Sequence, residues 1–195
     1  MVLHMMEEVL RTFLSLFVIM GPFASIPVFM SVVRRVKNRG RTAVASQAVG
    51  IAAAVLFTFL FVGEYILQAF MIDMNSLRVG GGIILAVLGI ELALGFSVAG
   101  VKRKYSPAVV LIGTPLLTGP GVIVTTMIFV SEYGHLITAL GAIAALFLSW
   151  VLLWLSAKLM KVVGEPGLEI VSTVTGILLV AVAVNFIITG LGNLL

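Results

Sequence analysis

The sequence predicts an all-α membrane protein with six transmembrane helices, arranged as a 3+3 inverted repeat in which helices 1 and 4 are discontinuous. Three observations predict it. The chain of 195 residues is 61% hydrophobic and only 10% charged, whereas a soluble domain keeps roughly a quarter of its residues charged. Apolar stretches of about 20 residues recur along its length, each long enough to cross about 30 Å of hydrocarbon. A double-proline pattern occurs twice, 93 residues apart: Pro22-Phe-Ala-Ser25-Ile-Pro27 and Pro115-Leu-Leu-Thr118-Gly-Pro120, both P-x-x-S/T-x-P.

Span one is Val9–Val33. Glu7 and Glu8 precede it, the wrong charge balance for the basic start of a cleavable signal, so it reads as a permanent span. Its interior holds GPFASIP, residues 21–27, whose two prolines and glycine interrupt the helix or at least kink it. Spans two and three are Thr42–Ile66 and Leu77–Phe96. Span four, Ala108–Val130, holds the second double-proline pattern, and Leu136–Met160 and Ile170–Leu194 follow as spans five and six. Little chain is left over, so one transmembrane domain is expected over 1–195, divided into repeat 1 (1–101) and repeat 2 (102–195). The repeat carries forward: Gly82-Ile-Ile-Leu in span three meets Gly176-Ile-Leu-Leu in span six at an offset of 94, which sets Glu91 opposite Asn185. Three spans per half make the second copy enter the membrane from the opposite face, as in many secondary transporters.

Ten of the twelve Lys and Arg residues fall on alternate loops: Arg34, Arg35, Lys37, Arg39 and Arg41, then Lys102, Arg103 and Lys104, then Lys158 and Lys161. The other side holds Glu7, Glu8, Glu64, Asp73 and Glu132, with Arg11 and Arg78 as its basic residues. The positive-inside rule then places the basic loops in the cytoplasm and both termini outside it, in a multi-pass protein of the cell membrane. Trp150 and Trp154 fall at the inner interface, and Arg78 reads as an anchor at the outer one. A pI near 9.8 therefore reflects a lipid bilayer as partner, not nucleic acid. The sequence says nothing of the oligomeric state.

A helix broken inside hydrocarbon leaves backbone groups unsatisfied, so the break must face protein, water or a ligand. The half-helices that begin after the breaks, near Pro27 and Pro120, present free N–H groups and the positive ends of their dipoles. The candidate substrate-binding residues are therefore Gly21, Pro22, Ser25, Pro27, Thr114, Pro115, Thr118, Gly119, Pro120 and Gly121, with Asn185 from span six. Ser25 and Thr118 either orient a ligand or hydrogen-bond their own helix backbones. Asn185 either meets substrate or serves helix packing. Glu91, the one acidic residue deep in a span, either couples transport to a proton or sodium ion or stays hydrated near the headgroups. Gly80, Gly81 and Gly82 read as a helix-packing surface, while Thr125 and Thr126 are weaker candidates for a path.

Zero cysteines exclude disulfides and sulfur-ligated metals, and two distant histidines leave no metal constellation. No G-x-S-x-G or phosphate-binding loop is present, so no enzyme, metal or cofactor is expected. With no Lys or Arg in the middle of a span, an anionic substrate group must be met by backbone N–H groups and hydroxyls. This favours small zwitterions.

The stretches GPFASIPVF, IGTPLLTGPG, RVGGGIIL and TGILLVAVAVNFIITGL together resemble the MarC (SnatA-type) family over essentially the whole chain. The resemblance implies six spans, the inverted repeat, and transport of small neutral amino acids such as glycine and alanine. Pro22, Pro27, Pro115 and Pro120 match the family's paired break motifs, with Ser25 and Thr118 inside them. Two positions depart: Gly21 stands where many members have Asn or Asp, and Thr173 where many have Arg. The function expected is a secondary transporter of small neutral amino acids working by alternating access. An exporter of amino acids or other small metabolites and a passive channel are the alternatives.

Overall fold

The structure is a computed structural model that describes residues 2–35, 40–95 and 117–193. Its described residues are helical, without strands, and form α1 (Val2–Met20), α2 (Pro22–Arg35), α3 (Arg41–Ala69), α4 (Met74–Leu94), α5 (Pro120–Val162) and α6 (Gly164–Gly192). Among them are five stretches long and apolar enough to cross a membrane, with α1 and most of α2 counting as one, His4–Met30. Large apolar side chains such as Phe61, Phe147 and Ile188 lie exposed on the long helices, as expected where the surroundings are lipid. The first part of the fourth expected span, with Thr114 and Pro115, lies outside the described residues, as do Lys37, Arg39, Lys102, Arg103 and Lys104.

α5 is two helices in one label. Gly134 interrupts it at φ 79° and ψ 168°, a backbone region open essentially to glycine alone. A short limb (120–133) precedes the turn and a long limb (135–162) follows it. The short limb is apolar on nearly every side, so it can only be a central helix. Gly121, Val122 and the whole run Val124–Val130 are indeed buried.

The other helices pack around this limb. The long limb lies beside α1 and α2, running in the same direction. Thr12 closes on Gly141, Ser149 Oγ lies 3.9 Å from Met20 Sδ, and Ser156 Oγ lies 3.3 Å from Met30 Sδ. α4 and α6 run antiparallel and make the most extensive interhelical contact among the described elements. A Cβ on Gly82 would fall 2.8 Å from the Ala183 carbonyl oxygen, and one on Gly89 2.8 Å from that of Gly176. Only residues without side chains let two backbones approach so closely in a membrane. The expected glycine packing surface is thus found at Gly82 and at Gly81, which faces Val124, while Gly80 meets open space.

Two expectations need correction. The half-helix after the first break does not start near Pro27: α2 begins at Pro22 and carries Pro27 in its interior. The reason is Gly21, whose left-handed backbone (φ 53°) ends α1 before Pro22, a residue suited to a helix's first turn. Arg78 is not a lipid-interface anchor. Its side chain is 13% exposed and pairs with Glu132 at 2.7 Å.

Candidate functional site

The two breaks lie close together within the helix bundle. A Cβ on Gly121 would stand 3.5 Å from Ile19 Cγ2, two residues before Gly21, so the start of the short limb abuts the end of α1. Thr118 is buried, and its hydroxyl donates to the Ala52 carbonyl of α3 at 3.1 Å. Ala52 is interior to a 29-residue helix, which sets the second break well away from either end of α3. Ser25 is also buried, but its hydroxyl donates at 3.3 Å to the Gly21 carbonyl on its own segment.

The helix starts differ in how their N–H groups are met. At α4, on a loop, the Asp73 carboxylate accepts from the N–H groups of Asn75 (2.8 Å) and Ser76 (2.9 Å). Those bonds, with the Ser76 hydroxyl first among them, hold the Asp73 carboxyl below its ordinary range. The short limb has Gly119 as its N-cap, with no side-chain cap, and Pro120 in its first turn. Pro120 has no N–H, and the Val122 and Ile123 N–H groups donate to the Gly119 carbonyl at 3.0 and 3.3 Å, so Gly121 supplies the first-turn N–H that an anionic group could meet.

Not every candidate turns toward this point. Gly21, Pro22, Ser25, Thr118 and Gly121 are buried, Gly119 is half-buried, and Pro27 and Pro120 are exposed. The Thr125 hydroxyl is buried without a partner among the described residues, while that of Thr126 donates to the Val122 carbonyl at 2.7 Å. Glu91 is half-buried near the end of α4, whose cap is Gly95.

Asn185 belongs to a different place. It lines a cavity of about 390 Å³ at the end of the bundle where α4 starts and α6 ends. Helical spacing puts Arg11 and Ser15 of α1 on one wall of it, and Phe129 and Glu132 of the short limb on another. Arg78 of α4, Tyr133 of the short limb and Thr189 of α6 complete the polar lining, and the Thr189 hydroxyl donates to Asn185 Oδ1 at 3.1 Å. Thr125 stands one turn below Phe129 on the same face of the short limb, toward the break.

This cavity and its central pair, Arg78 with Glu132, are not foreshadowed by any motif in the sequence. The available signal was slight: Arg78 stands five residues into an apolar helix, and Glu132 is the first charge after the short limb's apolar run. Nothing in the spacing shows that they meet.

The family model for MarC family integral membrane proteins matches residues 6–195. A UPF0056 membrane protein of Aquifex aeolicus is 32% identical, with all of this chain and 99% of that protein covered. The UPF0056 inner membrane protein YhgN of Escherichia coli K12 is 30% identical over 95% of this chain and 97% of its own. A UPF0056 membrane protein of Methanocaldococcus jannaschii is 28% identical over the same shares. No solved structure matches.

Proposed function

Because this chain belongs to the MarC family of integral membrane proteins, we propose that it is a secondary transporter of small neutral amino acids of the glycine or alanine kind. The substrate sits at mid-membrane between the two helix breaks, and alternating access comes from rocking one half against the other. One observation carries this reading: a helix start without a side-chain cap, at Gly119–Gly121, abuts the Gly21 break, with Gly121 buried. The carboxylate is received by the Gly121 N–H of the short limb and by the Phe23 and Ala24 N–H groups of α2. Thr118 and Ser25 exchange their present backbone partners for substrate as they orient it.

The inverted repeat has support of its own. Exchanging the halves with the offset of 94 turns the Gly82–Ala183 contact into the Gly89–Gly176 contact, and both are among the tightest backbone approaches of α4 to α6. Such exchange is expected of two copies related by an axis in the membrane plane. One domain of two repeats (1–101 and 102–195) follows, with both termini outside the cytoplasm. Inner-membrane residence agrees with the name of the Escherichia coli relative. Glu91 is the group proposed to carry a coupling proton or sodium ion, and no enzymatic activity is assigned.

The test is counterflow in proteoliposomes. Vesicles preloaded with unlabelled alanine should transiently accumulate labelled alanine, and Thr118→Val should reduce the initial rate. Flux that does not saturate, and shows no counterflow, would make the protein a channel. Absence of flux for glycine, alanine and serine alike would end the amino-acid assignment.

A further inference from the structure

The cavity holding Asn185 has a chemistry of its own, separate from the breaks. Its lining holds two cations and one anion: Arg11, exposed and paired with Glu7 at 2.8 Å, and Arg78, 13% exposed, in direct contact with Glu132, 31% exposed, at 2.7 Å. The Arg78 guanidinium is not saturated by this pair. One terminal nitrogen reaches Asn75 Oδ1 only at 3.3 Å, and the buried Nε has no partner among the described residues. A planar fork with donors to spare suits a carboxylate. Phe129 and Phe186, edge to face at 6.4 Å, give the same cavity an apolar wall. About 390 Å³ lies within the range of small-ligand sites, and convergent polar groups on apolar walls are their usual form.

Charge balance selects the ligand. An anion placed on Arg78 displaces Glu132 and leaves it uncompensated, and a cation placed on Glu132 does the same to Arg78. Separating a partly buried pair is costly unless each member gains a new partner. A small zwitterion supplies both partners at once.

We propose that this cavity is a second, more peripheral binding site for a small zwitterion, with its carboxylate on Arg78 and its ammonium on Glu132. The substrate class rests on the carrier reading above; the location does not. Arg78 comes from α4, in the first half of the chain, and Glu132 from the short limb, in the second. Ligand inserted between them therefore unfastens the two halves at this end. Asn185, held by Thr189 on the cavity wall, contributes a further hydrogen bond.

The experiment is equilibrium binding of labelled alanine to the full chain in nanodiscs, with Arg78→Gln and Glu132→Gln as variants. Two alanines per wild-type chain, falling to one in each variant, is the expected result. A single wild-type alanine lost at least ten-fold in affinity in both variants also supports the peripheral site, and sinks the site at the breaks. A stoichiometry the variants leave unchanged overturns the peripheral site alone, and no binding to wild type overturns both. Competition on the wild type guards against misfolded variants: alanine methyl ester (cation only) and N-acetylalanine (anion only) should fail to displace alanine at the peripheral site. Displacement by either as readily as by alanine overturns the proposal.

Discussion

The break at Gly21 and the break at Gly119 share a six-residue pattern and are built differently. In the first, α2 starts at Pro22 and Pro27 rides inside the helix, exposed. In the second, the short limb starts at Pro120, which holds the place of Pro27 in the shared sequence pattern. The hydroxyls follow suit: Ser25 bonds its own segment, and Thr118 bonds α3. Glycine explains the first case, because the left-handed turn at Gly21 spends the break one residue before the pattern begins. Proline pairs therefore mark where a helix is interrupted without fixing which proline does it.

This asymmetry can be tested by substitution, beginning with the prolines. Inside α2, Pro27 has no N–H for the Phe23 carbonyl, so Pro27→Ala should stabilise the protein by up to about 3 kcal/mol. Pro120→Ala, in a first turn, should be nearly neutral. Detergent-titrated unfolding reads both, and equal effects would erase the distinction. The glycines come next. A Cβ on Gly121 would fall 2.5 Å from Leu85 Cδ2, so Gly121→Ala should cost about 1–3 kcal/mol through crowding.

Gly21→Ala should cost about 1–2 kcal/mol for another reason, its left-handed backbone, since the nearest atoms to the added Cβ are 4.0 Å away. Removing the bulk of Leu85 with Leu85→Ala should soften the penalty at Gly121 and leave that at Gly21 untouched. The hydroxyls give smaller effects: Thr118→Val should cost about 0.6 kcal/mol, typical of an interhelical bond in a membrane, and Ser25→Ala should cost less. A larger loss for Ser25→Ala would reverse the order of the two breaks.

Smallest of all is the effect at a capped start away from the breaks. The Asp73 carboxyl is held low in the folded state by Ser76 and Asn75, so its contribution is present above the unfolded value and disappears as pH falls through the lower folded one. Asp73→Asn keeps a capping oxygen and removes the titration. The drop in melting temperature between neutral pH and about pH 3 should shrink slightly in that variant.

Helical class, membrane residence and most helix limits were legible because hydrophobic length is a one-dimensional property. The expected turn between spans four and five, residues 131–135, contains Gly134, where the chain does turn. Gly81 and Gly82 were legible as packing positions because glycine in an apolar helix has few other uses, whereas Gly176 stood out only as the sequence match of Gly82. Illegible were the facts that depend on two distant segments meeting. Arg78 lies 54 residues from Glu132, and Thr118 reaches across 66 residues to α3. The start of α2 was misread because a glycine's dihedral angle outranked a proline's missing donor, and only φ reveals that.

Where Gly82 and Gly89 meet Ala183 and Gly176, two backbones approach closely beside the aliphatic side chains of Ile187 and Val180, with no charged group among those neighbours. Protons, salt and oxidants find no group there to act upon. Separation alone governs that contact, so bilayer thickness and the lateral pressure of the acyl chains are the variables it answers to. Lipid composition then becomes the means of loosening one interface of this protein while solution conditions act on the charged cavity at its end.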